Sequence, residues 1–143
     1  MTRATSYRSG VRYAYPFGHG LSYSSFAYAA RGVAPCGAAT FPVCVSGNVT
    51  NTGGVTAAAV AQLYVRFPPD AGQPAPLLKG FVKMAPLPPA AVAPLSLPLR
   101  ERDLSFYNAT SGEWRRAGKV DLLLGASSAD IRDSILNVPV PSA

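Results

Sequence analysis

Apolar and polar residues alternate with a period of two in four stretches of the chain. Val43, Val45 and Val49 alternate with Cys44, Ser46, Asn48 and Thr50, and Ala61, Leu63 and Val65 with Gln62, Tyr64 and Arg66. Leu95, Leu97 and Leu99 alternate with Ser96, Pro98 and Arg100, and Val120, Leu122 and Leu124 with Lys119, Asp121 and Leu123. Side chains of a strand point to opposite faces in turn, so each stretch predicts a strand with one face on a core. Turn-forming clusters separate them: Asn51-Thr52-Gly53-Gly54, Pro68-Pro69-Asp70-Ala71-Gly72, Pro86-Leu87-Pro88-Pro89, Thr110-Ser111-Gly112 and Gly125-Ala126-Ser127-Ser128. The expected strands lie near residues 21–29, 41–49, 57–67, 77–84, 92–99, 119–125 and 131–138, with a turn or single helical turn over 101–107. Pro98 marks its strand as an edge strand, because proline donates no ladder hydrogen bond. Fourteen prolines argue against long helices. The pattern is all-β, a two-sheet antiparallel sandwich of about seven strands.

Composition narrows the function classes. A chain of 143 residues forms one domain with one sizeable core. No apolar run approaches the roughly 20 residues of a membrane-spanning helix, so no membrane partner is expected. The net charge of +6 invites a nucleic-acid reading, but the thirteen basic residues are scattered and never exceed two in a row. Phosphate readers cluster such residues on one element, and nucleic acid is therefore set aside as a partner.

The densest local signal is Tyr15-Pro16-Phe17-Gly18-His19-Gly20-Leu21-Ser22-Tyr23. Two glycines permit tight turns and a proline fixes the entry, so aromatic rings are held in a set, non-repetitive geometry suited to docking. This run resembles the segment that leads into the C-terminal fibronectin type III-like domain of family 3 glycoside hydrolases, the β-glucosidases and β-xylosidases. The resemblance recurs in the family's order at Asn51-Thr52-Gly53, Gln62-Leu63-Tyr64-Val65, Leu78-Lys79-Gly80-Phe81, Arg102-Asp103-Leu104-Ser105-Phe106-Tyr107 and Leu124-Gly125-Ala126-Ser127-Ser128. Thr5-Ser6-Tyr7-Arg8 and Ser9-Gly10-Val11 are similar to the end of the preceding linker in the xylosidase-like branch.

The resemblance implies an immunoglobulin-like, fibronectin type III-like sandwich over residues 21–143, preceded by a linker over 1–20 from a catalytic region. It implies a parent that is extracellular or vacuolar and hydrolyses terminal β-linked glucose or xylose with retention, using carboxylates outside this domain. The domain's own part is then to brace the catalytic domains of the same polypeptide through Tyr15, Phe17, His19, Leu21 and Tyr23, a segment expected to be comparatively mobile in the isolated chain. Met1-Thr2-Arg3-Ala4 is followed by polar and turn-forming residues rather than an apolar signal segment, so the chain reads as a terminal fragment of a longer one. A free-standing module that binds polysaccharide or a protein is the alternative.

Candidate chemistry within the chain is sparse. A glycosidase needs two carboxyl groups about 5 to 10 Å apart, one of them a proton donor. The only close acidic pair, Glu101 and Asp103, lies between Arg100 and Arg102, which favour the ionised form of both. His19 has Ser22 nearby but no nucleophile elbow and no acid in its segment, so it reads as a hydrogen-bonding member of a packed turn. No catalytic residue is expected. Cys36 and Cys44 either close a small loop as a disulfide or remain free thiols, and with one distant histidine they do not make a metal site. No cofactor is implied. Trp114, in Gly112-Glu113-Trp114-Arg115-Arg116, is a candidate sugar contact, although no second ring is spaced along the sequence to form a platform. Asn48 and Asn108 head N-glycosylation sequons.

Overall fold

The computed structural model describes residues 14–37 and 43–141. Its strands are β1 (Phe26–Ala34), β2 (Val43–Asn51), β3 (Val60–Arg66), β4 (Leu77–Lys83), β5 (Val92–Leu99), β6 (Ser105–Asn108), β7 (Glu113–Arg116), β8 (Lys119–Ser127) and β9 (Asp130–Pro139). A three-stranded sheet runs β1-β2-β5 and a four-stranded sheet runs β4-β3-β8-β9, all pairs antiparallel; β6 and β7 form a separate hairpin between β5 and β8. This is the all-β, two-sheet antiparallel sandwich that the alternation predicts, in the fibronectin type III-like form that the resemblance implies, with the hairpin added.

The alternating apolar residues meet as expected. Val43, Val45 and Val49 of β2 and Leu95, Leu97 and Leu99 of β5 face Ala61, Leu63 and Val65 of β3 and Val120, Leu122 and Leu124 of β8 across one buried core. Burying such side chains stabilises the fold by about 1.5–3 kcal/mol each, which is what holds the two sheets face to face. β5 pairs only with β2, so it is an edge strand as Pro98 indicates, and it carries Pro94 as well. Along the side where β1 meets β9, the carboxylate of Asp133 accepts a hydrogen bond from the Ala30 amide (2.7 Å), beside the bulge between Ala30 and Gly32.

Asn51 anchors the end of β2. Its side chain is fully buried, and every capacity of its amide is used. Oδ1 accepts from the Ser24 hydroxyl (2.7 Å) and the Gly53 amide (3.0 Å), and Nδ2 donates to the carbonyls of Val55 (2.8 Å) and Leu87 (2.7 Å). One side chain thus joins the approach to β1, the β2–β3 loop and the loop before β5. Cys36 and Cys44 are bonded in the structure with Cα atoms 5.0 Å apart, tying the end of β1 to the start of β2.

Three local expectations need correction. The first strand starts at Phe26, not near residue 21. Leu21 and Tyr23 satisfy a period-two pattern, but they are almost wholly exposed and belong to no ladder, and the Ser22 hydroxyl accepts from the Ser24 amide to bend the chain. The segment 101–107 is a 3-10 turn at Glu101–Leu104, as one helical turn suggests, but it leads directly into β6. β7 has no counterpart among the expected strands, since Glu-Trp-Arg-Arg offers no apolar face to a core. The sequence motifs at Thr5 to Val11 lie outside the described residues.

Candidate functional site

The chain displays two aromatic patches at opposite ends of β8. The first is the turn at Pro16–His19. The His19 amide donates to the Pro16 carbonyl (3.1 Å), and Gly18 sits at a φ of +78°, where residues with a Cβ are strained. A Cβ on Gly18 would also run into Gln62 Oε1 and come within 2.6 Å of the Tyr64 hydroxyl. Both conditions require glycine.

That closeness arises because the turn lies on the outer face of the four-stranded sheet. Gln62 and Tyr64 alternate with the core residues of β3, so they point away from the core, yet both are buried. Gln62 Nε2 donates to the carbonyls of Gly18 (2.9 Å) and Ala126 (2.7 Å), and its Oε1 accepts from the Tyr64 hydroxyl (2.6 Å). The Phe17 carbonyl accepts from the Ser128 amide at 2.9 Å and lies 3.4 Å from the Tyr64 hydroxyl. The backbone of the turn is thereby fixed to β3 and to the end of β8. A boundary at residue 20 leaves this turn in the linker, whereas its hydrogen bonds make it part of the sandwich.

The side chains of the motif face outward. Tyr15 is 69%, Phe17 56%, Leu21 94% and Tyr23 99% exposed, and His19 is exposed and stacked on Tyr15 with ring centroids 4.9 Å apart. Phe81 of β4, opposite Gln62 in the register, adds a further exposed ring to the same sheet face. Sequence reasoning passes over Phe81. The signal available was its place in Leu78-Lys79-Gly80-Phe81, where it falls on the outward-facing side of the strand.

The second patch is the β6–β7 hairpin. Its register sets Tyr107 opposite Trp114 and Phe106 opposite Arg115. Phe106 turns inward and meets Phe67 edge to face at 5.8 Å, so the opposite face of the hairpin, with Tyr107 and Trp114, turns outward. Their rings are exposed, 5.9 Å apart between centroids and inclined at 67°. A second exposed ring therefore stands beside Trp114, edge to face with it rather than coplanar. The partner is seven residues away along the chain but directly across the hairpin.

The remaining candidates have structural roles. Asp103 accepts from both the amide (3.0 Å) and Nε (3.1 Å) of Arg100 and so caps the 3-10 turn, while Glu101 pairs with Arg116 at 3.2 Å. Both carboxylates are thus taken up by arginine partners in local structure. Lys79, half-buried with its ammonium 5.9 Å above the Phe67 ring, has its pKa lowered by burial, with Asp103 opposing the shift. Asn48 is half-buried in the middle strand of its sheet; with its amide oxygen and nitrogen assigned to suit their neighbours, it donates to the Gly47 carbonyl (2.8 Å) and accepts from Arg31 (3.2 Å). Asn108 closes the hairpin tip by accepting from the amides of Thr110 (2.9 Å) and Ser111 (3.2 Å). Among the described residues no three His, Cys, Asp or Glu side chains gather as a metal site. An open groove of about 520 Å³ runs beside the proline-rich loop between Arg66, Pro74, Lys119 and Asn137, and its Arg66 and Asp121 are paired at 3.7 Å.

The profile of the fibronectin type III-like domain matches residues 59–128, from just before β3 to just after β8. "Probable beta-glucosidase D" of Aspergillus flavus is 35% identical over 136 residues, covering 82% of this chain and 18% of that protein. "Beta-glucosidase cel3A" of Pyricularia oryzae is 37% identical over 145 residues, with 87% and 20% covered. This chain belongs to the fibronectin type III-like domains of family 3 glycoside hydrolases. Among solved structures, the β-glucosidase D2-BGL of Chaetomella raphigera superposes with a TM-score of 0.80 at 30% identity, over 96% of this chain and 22% of that one. β-Glucosidase 3B of Thermotoga neapolitana, crystallised with glycerol, gives 0.79 at 32% identity, over 97% and 19%. The chain thus spans about a fifth of the length of the relatives it matches. This fibronectin type III-like domain is a non-catalytic accessory unit.

Proposed function

We propose that the domain braces the catalytic domains of a secreted β-glucosidase through the face that carries Tyr15, Phe17, His19, Leu21, Tyr23 and Phe81. The observation that carries this reading is the split within one turn: its backbone is bonded to the domain's own sheet while its rings are left in solvent. A soluble domain rarely exposes so many large apolar side chains together unless another surface covers them, and aromatic anchors carry much of the energy of such contacts. Glucoside rather than xyloside as the parent's substrate follows the names of the relatives above. The Cys36–Cys44 bond and the sequons at Asn48 and Asn108 suit an oxidising, glycosylating route; intact-mass analysis after oxidative folding should find no alkylatable thiol at these two positions. Asn108, at an exposed hairpin tip, is the more accessible acceptor.

The test is a pair of measurements on Phe17→Ala. In the 143-residue chain the melting temperature should hardly move, because the ring touches no core. In the intact parent polypeptide the same change should destabilise by about 2–4 kcal/mol, the scale for truncating a buried Phe, and accelerate thermal loss of aryl β-glucoside hydrolysis. Equal, small effects in both would show that nothing packs on this face. The 143-residue chain by itself should hydrolyse neither aryl β-glucosides nor aryl β-xylosides.

A further inference from the structure

We propose that Asn108 is an N-glycosylation site and Asn48 is not, so that the hairpin end of the domain carries a glycan and stays open to solvent in the assembled parent. This rests on the reading of the parent as secreted, because the modifying enzyme works inside the export route. The reaction joins Asn108 Nδ2 to the anomeric carbon of an oligosaccharide carried on a lipid pyrophosphate. The new N–C bond forms as the bond from that carbon to the pyrophosphate oxygen breaks; the lipid pyrophosphate leaves, and Nδ2 gives up one of its two protons.

Asn108-Ala109-Thr110 and Asn48-Val49-Thr50 satisfy the same three-residue rule, and the fold tells them apart. The acceptor atom comes first. Both hydrogen bonds of the Asn108 side chain go to Oδ1, from the main-chain amides of Thr110 and Ser111, and among the described residues none engages Nδ2. A sugar on Nδ2 leaves Oδ1 and its two bonds in place. At Asn48 the nitrogen donates to the Gly47 carbonyl while the oxygen accepts from Arg31, so both ends of the amide are occupied.

Folding then treats the two sequons in opposite ways. Ala109 and Thr110 are exposed at a tip that the Gly112 amide closes by donating to the Asn108 carbonyl (2.9 Å), with Gly112 at a φ of +71°. The tip is built from main chain and from Asn108 Oδ1, so it can hold its shape with a glycan attached. Val49 is fully buried, and Asn48 is paired on one side with Ala29 of β1 and on the other with Pro94 of β5. Formation of that sheet withdraws the sequon from any enzyme that has to hold the peptide in its own site.

Placement gives the modification its consequence. The docking turn bonds to Ala126 and Ser128 at the end of β8, whereas the hairpin feeds the start of β8 at Lys119, roughly 20 Å of strand away. A glycan on Asn108 therefore stands clear of the bracing face, and its hydrated branches keep another protein surface from closing over the hairpin.

The 143-residue chain is secreted from a eukaryotic host behind a leader peptide, which brings it to the glycosylating enzyme whatever route its parent takes. Intact mass should show a single N-glycan, and peptide:N-glycosidase should remove it whole while converting Asn108, and not Asn48, to Asp. Thr110→Ala destroys the sequon but keeps the amides that bond Asn108 Oδ1; it should leave the chain unmodified, with a melting temperature close to that of the enzymatically stripped wild type. Thr50→Ala should keep the glycan. The orientation is read in the intact parent polypeptide, from which the glycosidase should release the Asn108 glycan without denaturant, as fast as from the 143-residue chain. An unmodified Asn108, a glycan on Asn48, or release from the parent only after denaturation would each overturn the proposal. An unmodified Asn108 would leave the secretion reading intact, since the leader supplies the route, and the bracing role is read separately from Phe17→Ala.

Discussion

The docking turn and the β6–β7 hairpin both present rings to solvent, but they are supported in different ways. The turn is held by its backbone: Gln62, Tyr64 and Ser128 bond to the main chain at Phe17 and Gly18, and no ring of the motif is needed to keep it in place. In the hairpin the exposed rings support each other, since Tyr107 and Trp114 form a cross-strand pair above a ladder of only four residues on each strand. A surface built the first way can change its side chains without losing its geometry, which suits a face that has to match a neighbouring domain. A surface built the second way couples geometry to identity, because replacing either ring removes the support of the other.

The most severe break of this contrast should come from Gly18→Ala. The positive φ costs an alanine about 1 kcal/mol and the new Cβ displaces Gln62 from its bonds, so a loss of roughly 2–3 kcal/mol is expected in denaturant unfolding of the chain. Trp114 emission in the folded state should not change, because the hairpin lies at the other end of β8. Gln62→Leu keeps the turn's own conformation but removes both donated bonds, leaving the Gly18 and Ala126 carbonyls to find water. About 1–2 kcal/mol should be lost, with faster amide exchange at His19 as the local sign. Tyr107→Ala should cost less, about 1 kcal/mol or below, since only an exposed edge-to-face contact goes; a red shift of Trp114 emission checks that the ring was covered on that side.

The smallest effect concerns Lys79, which lies behind the hairpin over Phe67. Its folded-state pKa is lowered from 10.5 by burial, so the unfolded chain binds more protons in the interval just below 10.5. Stability should therefore rise with pH across that interval by a margin that Lys79→Met lacks. Thermal melts of both proteins from pH 8 to 10.5 should show the wild type gaining on the variant, and a constant difference would mean that the ammonium is fully hydrated.

Much of this arrangement is legible in the sequence. The sandwich follows from alternation, because the inward residues of β2, β3, β5 and β8 are the apolar ones in each run. The docking motif is also visible, since glycine and proline announce a fixed turn. What escapes is where polar residues are covered. Gln62 and Tyr64 occupy outward positions on β3 and read as solvent-facing, yet the turn 44 and 47 residues earlier in the chain buries them. The hairpin escapes for a related reason. Thr110-Ser111-Gly112 signals its turn, but a strand such as Glu113–Arg116 that buries no apolar side chain leaves no hydrophobic period to detect, and the pairing of Tyr107 with Trp114 exists only once the register is set.

The two prolines of β5 reach beyond the domain itself. Pro94, Ser96 and Pro98 lie at alternate positions along an edge strand, and since Pro94 and Pro98 have no amide hydrogen to give, that side offers an incoming strand one donor where three would stand. The rim of the three-stranded sheet is thus a poor template for strand addition by another molecule. This keeps β5 from seeding edge-to-edge polymers while its inward leucines remain wholly committed to the core.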